Sequence, residues 1–218
     1  MEKKTKTPWP TKAAMEQVYE KNLWGGDKTD FYSGEGSHQP EIVNPYLSAV
    51  TAFLTSFKTP LTVCDLGCGD FNVGKALVQH TEKYIAVDIV PKLIARNKEK
   101  FRAPNLEFQC LDIAVAALPS ADCAIVRQVL QHLCNTEIQS IANKLAAYKY
   151  VILTEHIPEG GFIPNKDIIS GQGNRMKKQS GVNLLAPPFN FKVQKETQLS
   201  AVVLEDGKGV IVTTLLVL

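Results

Sequence analysis

The stretch that decides the fold is VCDLGCGDFNVG, residues 63–74. It follows a short apolar segment and precedes a predicted helix, so its glycines lie at a turn from strand to helix. Glycine permits a tight bend there and lets a ligand approach the backbone, and a following helix presents unpaired amides. Such turns are common in α/β proteins, so this one predicts a ligand site only together with other features.

Three aspartates supply those features. Asp65 lies just ahead of the first glycine, where a carboxylate would repel a pyrophosphate and would suit a ligand that carries an ammonium group. Asp88 ends the next predicted strand, roughly 20 residues further on, the position from which an acid binds ribose hydroxyls. Asp112 ends the third strand, where it can accept a hydrogen bond from an adenine amino group. A single aspartate at a strand end is commonly a cap or turn residue, whereas three at successive strand ends predict a site at the carboxyl edge of the sheet.

Strands and helices alternate through most of the chain, which predicts an α/β fold with a parallel sheet and right-handed crossovers. The closing strands flank the turn signal at residues 205–209, which predicts an antiparallel hairpin. The predicted strands are 61–66, 84–88, 106–110, 121–126, 150–154, 199–204 and 210–216, and the predicted helices are 11–23, 45–57, 73–80, 91–101 and 135–147. Residues 155–195 have no regular pattern.

Composition limits the kind of protein. A chain of 218 residues with 44% hydrophobic content fits one domain with its own core. The formal net charge of +2 gives no broad basic surface for nucleic acid or an anionic membrane. The start, residues 1–12, is not a signal peptide, and the longest apolar run, residues 209–218, is far shorter than the ~20 residues that span a bilayer.

The five cysteines are an odd number without disulfide-scaffold or zinc-finger spacing. We therefore expect reduced thiols, a cytoplasmic protein and no metal site.

The motifs together carry a family resemblance. Asp65-Leu66-Gly67-Cys68-Gly69 resembles motif I of the class I S-adenosylmethionine-dependent methyltransferases, and Val87-Asp88-Ile89 resembles their second-strand acid. Leu111-Asp112-Ile113 resembles their adenine-binding segment, and residues 127–133 resemble the segment after their fourth strand. The match runs in order over residues 61–154, with Phe71 in place of the usual third glycine and no Asn-Pro-Pro-Tyr type motif.

The resemblance implies a Rossmann-like, seven-stranded, mostly parallel sheet with helices on both faces, an antiparallel last strand and S-adenosylmethionine as cofactor. It implies that motif I holds the methionine part, that the second-strand acid and its neighbour hold the ribose and flank the adenine, and that the third-strand pair holds the adenine. Arg127 and Gln128, at the end of the fourth strand, would lie near the transferring methyl. The implied cofactor-binding residues are Asp65, Gly67, Cys68, Gly69, Asp88, Ile89, Asp112, Ile113, Arg127 and Gln128.

Candidates for a base or a substrate contact are His132, His156 and Glu155. His132 follows the fourth strand beside the expected donor site, although a helix-face histidine that packs and hydrogen-bonds is the more common reason for such a residue. Glu155 and His156 follow the fifth strand at the same edge of the sheet.

Two segments are candidate covers. Residues 1–58 are interpreted as an N-terminal helical extension and lid over the methyltransferase core, residues 59–218, with core packing of Trp24 as the alternative to a lid role. Residues 155–195 are either a disordered insertion or a substrate lid, and their basic residues Arg175, Lys177 and Lys178 either meet an acidic substrate or are solvated.

The function hypothesis is therefore methyl transfer to a small-molecule acceptor. The alternatives are a methyltransferase for RNA or protein, which near-neutral charge disfavours, and a non-catalytic S-adenosylmethionine-binding module. A nicotinamide-dependent oxidoreductase is disfavoured by Asp65 and by glycine spacing that departs from GxGxxG. The sequence leaves the acceptor and the oligomeric state open.

Overall fold

The computed structural model describes residues 9–27 and 29–218, apart from the side chain of Asp206. Its strands are β1 Thr62–Leu66, β2 Lys83–Asp88, β3 Leu106–Cys110, β4 Cys123–Arg127, β5 Tyr150–Ile157, β6 Lys195–Val203 and β7 Val210–Val217. Its α-helices are α1 Thr11–Glu20, α2 Pro40–Thr55, α3 Pro91–Lys100 and α4 Asn135–Leu145. No helix among these residues is both long and apolar enough to cross a membrane.

The strands form one seven-stranded sheet in the order β3-β2-β1-β4-β5-β7-β6. Strands β1 to β5 all run parallel to one another, and β7 runs antiparallel to both β5 and β6. This confirms the predicted mostly parallel α/β sheet with a closing antiparallel hairpin. Because β1 to β4 are parallel, their carboxyl ends meet at one edge.

Side chains of the central strands alternate between the two faces of the sheet. Cys64 and Leu66 face a core that includes α4, and Val63 faces a second core that includes α2. The central strands are buried on both faces, as their continuous apolar runs predict. The alternation puts Asp65 on the α2 face, at the carboxyl end of β1.

The helix predicted for residues 73–80 is wrong. The chain instead makes two 3₁₀ turns, Gly74–Ala76 and Val78–His80, held by backbone bonds from Leu77 to Gly74 at 2.9 Å and from His80 to Leu77 at 3.0 Å. A Cβ on Gly74 would lie 2.5 Å from the buried Phe71 ring. This close approach of the chain to the ring requires glycine at position 74.

The N-terminal helices also differ from prediction. The first ends at Glu20 rather than near Leu23, and Thr11 does not cap it, because its hydroxyl donates to Glu137 across the cavity edge. The second begins at Pro40, five residues before the predicted start, and contains Pro45. Pro45 is the sixth residue of this helix and has no N–H to donate to the Glu41 carbonyl, so the helix lacks one hydrogen bond there.

The segment between β5 and β6 follows an irregular path with one 3₁₀ turn, Met176–Lys178. Val182, Leu184 and Phe189 from this segment are buried in the α4-side core. The two flanking strands are longer than predicted, because β5 continues to Ile157 and β6 starts at Lys195.

Both interpretations of Arg175 are wrong. Its side chain is only 1% exposed, and its guanidinium donates to carbonyl oxygens of Lys166, Leu130, Gln131 and Leu133 and to Asn135 Oδ1. Arg175 thus binds the irregular segment to the turn after β4 and cannot meet a substrate. Lys177 and Lys178 are exposed, as expected for a solvated loop.

Candidate cofactor cavity and catalytic site

A cavity of about 310 Å³ lies at the carboxyl edge of the sheet. The ends of β1 to β4 form its floor, and α1, residues 33–37 and residues 172–174 form its walls and roof. Of the sequence-predicted residues, the following line it: Asp65, Gly67, Cys68, Gly69, Asp88, Ile89, Asp112, Ile113, Arg127, Gln128 and His132. Glu155 and His156 do not line this cavity.

The glycine turn is shaped by close approach from two sides. Gly67 has φ +87°, and a Cβ there would lie 2.3 Å from the Val129 side chain. Gly69 has φ +56°, and its Cβ would lie 2.4 Å from Ser33 Oγ in the roof. Both positions therefore need glycine for conformation and for space.

Asp65 lies in a low-dielectric part of the cavity. Its Oδ2 accepts a hydrogen bond from the Tyr84 hydroxyl at 2.9 Å. Burial raises the pKa of Asp65 to about 7, although the Tyr84 hydrogen bond and the Arg127 charge both oppose that rise. A carboxyl group in this state ionises readily when a cation arrives beside it.

Asp88 holds the glycine turn as well as facing the cavity. Its Oδ2 accepts the Gly69 amide at 3.1 Å, and its Oδ1 accepts the Val90 amide at 3.0 Å. Burial raises its pKa, and these backbone bonds oppose the rise. Carboxylate oxygens have several acceptor sites, so Asp88 retains capacity for ligand hydroxyls.

Asp112 and its neighbours form the outer end of the cavity. Asp112 Oδ1 accepts the Ala114 amide at 2.9 Å, which fixes the carboxylate in a turn after β3. Ile89, Ile113 and Met15 supply apolar surface beside it. This end combines a hydrogen-bond acceptor with apolar walls, the chemistry that a flat heterocycle with an amino group requires.

Arg127 lies opposite Asp65 and contacts the roof. Its guanidinium donates to the Gly36 carbonyl and, at 3.2 Å, to Ser37 Oγ, and its Cζ lies 4.8 Å from the Tyr46 ring centroid. Burial lowers its pKa. Its Nε is buried and has no hydrogen-bond partner among the described residues, which leaves one donor of the guanidinium unused.

Residues that sequence analysis did not identify tie the roof to the glycine turn. Ser33 N donates to Asp70 Oδ2 at 2.8 Å, and Asp70 N donates to Ser33 Oγ at 2.8 Å. His38 Nε2 lies 2.6 Å from the same Asp70 oxygen, and Tyr19 reaches Ser33 Oγ at 3.0 Å. Asp70 directly follows the glycines, a signal that could have singled it out, but no local pattern predicts partners more than 30 residues away.

The candidate basic residues occupy different surroundings. His132 Nδ1 lies 3.0 Å from the Gly173 carbonyl, and its Nε2 lies 3.1 Å from Gln131 Nε2. This pattern requires a neutral ring that donates from Nδ1, and burial lowers the pKa of His132 to about 4. His156 Nε2 lies 2.6 Å from the Lys208 carbonyl, away from the cavity.

Glu155 lies under the irregular segment, on the wall of a second cavity of about 380 Å³. It is 4% exposed, and neither carboxyl oxygen has a hydrogen-bond partner among the described residues. Burial raises its pKa to about 8, with the Arg175 charge opposing the rise. In the part of the chain that the structure describes, no three His, Cys, Asp or Glu side chains form a cluster that could hold a metal ion.

The strand order and an acid-lined cavity over a glycine turn define a Rossmann-like nucleotide-binding α/β protein. A family model described as a methyltransferase domain matches residues 63–148. Residues 63–148 of the chain are therefore similar to a methyltransferase domain.

Similar proteins agree with this assignment. A malonyl-[acyl-carrier protein] O-methyltransferase from Acetivibrio thermocellus is 36% identical over 63 residues, which is 28% of this chain but only 22% of that relative's length. NodS, an N-methyltransferase from Bradyrhizobium japonicum WM9 solved with S-adenosylhomocysteine, superposes with a TM-score of 0.67 at 12% identity, covering 94% of this chain and 98% of its own.

Magnesium protoporphyrin IX methyltransferase from Synechocystis PCC 6803, also solved with S-adenosylhomocysteine, gives a TM-score of 0.60 at 16% identity over 96% of this chain and 100% of its own. At such low identity, these two structures show a shared fold.

Proposed function

We propose that this chain binds S-adenosylmethionine in the cavity at the carboxyl edge of the sheet and transfers its methyl group to a small-molecule acceptor. One observation carries the proposal. The acids that follow β1, β2 and β3 all line one cavity, and a partly unsatisfied arginine lies opposite the first of them. Each acid matches a different part of the cofactor.

The methionine end fits Asp65 and Arg127. A buried carboxyl with a raised pKa gains a counter-ion when an ammonium group enters beside it. The unused Nε of Arg127 is available for a carboxylate. Gly67 and Gly69 leave room for this part of the ligand against the backbone.

The nucleoside end fits the next two strands. We assign Asp88 to the ribose hydroxyls and Asp112 to the adenine amino group, with Ile89 and Ile113 against the adenine faces. A pyrophosphate would lie against three carboxylates in this cavity, which disfavours a dinucleotide.

We further propose that residues 1–58 act as the lid, although residues 1–8 lie outside those described. The support is the contact of Ser33 with Asp70 and of Arg127 with Gly36, which hold residues 33–37 across the methionine end. The bound cofactor supplies an activated methyl on a sulfonium. The protein's own contribution is alignment of the two reactants and exclusion of water by α1, Trp24 and residues 172–174.

The acceptor is proposed to be a small molecule rather than nucleic acid, because the net charge is +2 and the roof encloses the cavity. Of the three candidate catalytic residues, His132 is the one that lines the cavity, and we assign it to the acceptor wall. The five cysteines are all free thiols, which supports the proposal of a cytoplasmic location.

The test is calorimetric titration of the purified chain with S-adenosylmethionine, S-adenosylhomocysteine and NAD. We expect micromolar binding of the first two and none of NAD. Binding of NAD alone, or of no ligand, would contradict the proposal. Binding without turnover of any acceptor across a metabolite panel would instead favour a non-catalytic binding module.

Cofactor affinity is expected to depend on pH through Asp65. In the ligand-free protein the Asp65 carboxyl has a pKa of about 7, and it must be ionised to hold the ammonium group. Below pH 7, each binding event therefore requires the release of one proton. The association constant for S-adenosylhomocysteine should fall about tenfold between pH 6.5 and 5.5. Calorimetry at several pH values, in buffers of different ionisation heat, measures both the affinity and the released proton.

The matched variant is Asp65→Asn, which should bind weakly but with a flatter pH profile. That variant keeps the nearby Asp88, whose pKa is raised by burial, so any remaining slope reports Asp88. An unchanged slope in Asp65→Asn would show that Asp65 is not the linked group.

A further inference from the structure

The acceptor side of the cavity can be located from the strand order. The proposed cofactor contacts run from β3 and β2 at the adenine end to β1 and β4 at the methionine end. The remaining wall lies beyond β4 and is formed by the turn after that strand, by the irregular segment and by Trp24. Its side chains are Trp24, Gln128, Gln131, His132, Gln172 and Asn174.

This acceptor wall carries no formal charge. Trp24 and His132 pack with ring centroids 5.0 Å apart, and the neutral state of His132 is required by its two hydrogen bonds. The other four members are amides. A charged acceptor would therefore lose part of its hydration without gaining a counter-ion here, which is unfavourable.

The cavity also offers no free base among the residues that the structure describes. Both ring nitrogens of His132 are engaged. The Glu137 carboxylate accepts from Thr11, Ser170 and Cys134, and Asp70 is occupied by the roof. The other carboxylates are those assigned to the cofactor. An alcohol acceptor needs a base to take its proton, so this cavity disfavours methyl transfer to an alcohol.

Gln128 is the wall residue best placed to orient an acceptor. Its backbone adopts φ +55°, an unusual conformation for a residue with a side chain. This conformation directs the amide to the roof, where its Oε1 would lie 2.4 Å from a Cβ on Gly36. The side-chain amide has no hydrogen-bond partner among the described residues, although it lines the cavity, so it can both donate to and accept from a ligand.

We propose that the acceptor is a small, uncharged, planar molecule that is methylated on a neutral nitrogen, and that Gln128 determines this specificity. The inference rests on the proposed methyltransferase function. The nitrogen lone pair forms the new N–C bond as the S–C bond breaks, and the electrons of that bond go to sulfur. Where the nitrogen carried a hydrogen, its proton then leaves to water, so no protein base is needed.

The test uses four bicyclic probes of similar size: benzimidazole, 2-naphthol, 2-naphthoate and 2-naphthylmethylammonium. Their binding to the protein saturated with S-adenosylhomocysteine is measured by saturation-transfer NMR and competition calorimetry. Benzimidazole should bind at least tenfold more tightly than either ion. With S-adenosylmethionine, mass spectrometry should detect N-methylbenzimidazole and no methylated naphthol.

A charge variant tests the role of Gln128. Gln128→Glu should strengthen binding of 2-naphthylmethylammonium at least tenfold and weaken benzimidazole, while Gln79→Glu on an exposed 3₁₀ turn should change neither. Thermal unfolding and S-adenosylhomocysteine binding of both variants check that they are folded.

Different results would contradict the proposed function and the proposed acceptor class. Loss of S-adenosylhomocysteine binding in the unmodified protein would contradict the proposed function itself. Intact cofactor binding combined with tighter binding of either ion, with no binding of benzimidazole, or with methylation of naphthol at a comparable rate would overturn the acceptor class alone. An unchanged probe order in Gln128→Glu would remove Gln128 from the specificity role.

Discussion

Replacing Asp88 by alanine is expected to abolish measurable binding of S-adenosylmethionine. The carboxylate is proposed to accept two ribose hydroxyls, and hydrogen bonds to charged groups contribute about 1.5–3 kcal/mol each, so affinity should fall by at least about 100-fold. The same change frees the Gly69 amide that Asp88 holds at 3.1 Å, which loosens the glycine turn and adds to the loss. Calorimetry with S-adenosylhomocysteine measures the effect.

Two further variants separate ligand contact from loop support. Asp88→Asn preserves size and one carbonyl acceptor for the backbone amides, so it should fold normally and bind with intermediate affinity. Asp27→Asn removes an exposed carboxylate whose partner is Thr29, and it should bind like the unmodified chain. Near-normal binding by Asp88→Ala would refute the assignment of Asp88 to the ribose.

Replacing Glu155 by glutamine is expected to stabilise the protein at alkaline pH. Burial raises the pKa of Glu155 from 4.5 to about 8, so the unfolded chain loses this proton at lower pH than the folded chain does. The stability associated with the protonated carboxyl is present below pH 4.5 and is lost as the pH rises towards 8. At about 1.4 kcal/mol for each pH unit between the two values, the penalty reaches about 5 kcal/mol.

Urea unfolding at pH 5, 7 and 9 measures this difference. The stability of Glu155→Gln should match that of the unmodified protein at pH 5 and exceed it at pH 9. Glu159→Gln, at an exposed position on the same segment, should match the unmodified protein at every pH. If Glu155→Gln is instead less stable at pH 9, then Glu155 is ionised in the folded state and stabilises the buried Arg175 charge.

Local chemistry explains why the sheet was predictable. Strands that are buried on both faces, such as β1 and β4, have continuous apolar runs, whereas β3 is only partly buried. The predicted bounds of β1 to β4 lie within two residues of the observed bounds. The position of Asp65, Asp88 and Asp112 at successive strand ends followed from the same pattern, because parallel strands bring their carboxyl ends to one edge. The predicted ligand cavity is at that edge.

The missed features depend on packing. The residue pattern after the glycine turn predicts a helix, but this segment forms two 3₁₀ turns, with Gly74 packed against the buried Phe71 ring. Arg175 resembles any loop arginine in sequence, and its burial depends on five acceptors from residues 130–135 and Lys166.

The sequence by itself determined the alternation of elements, the glycine turn and the acids around it, because these follow from residue periodicity, backbone freedom and neighbours along the chain. The tertiary structure alone decided which side chains close the cavity and which protonation state they have. Ser33 reaches Asp70, Arg127 reaches Gly36, and burial brings the pKa of Asp65 to about 7. These properties depend on contacts between distant segments and on the exclusion of water, neither of which a local pattern contains.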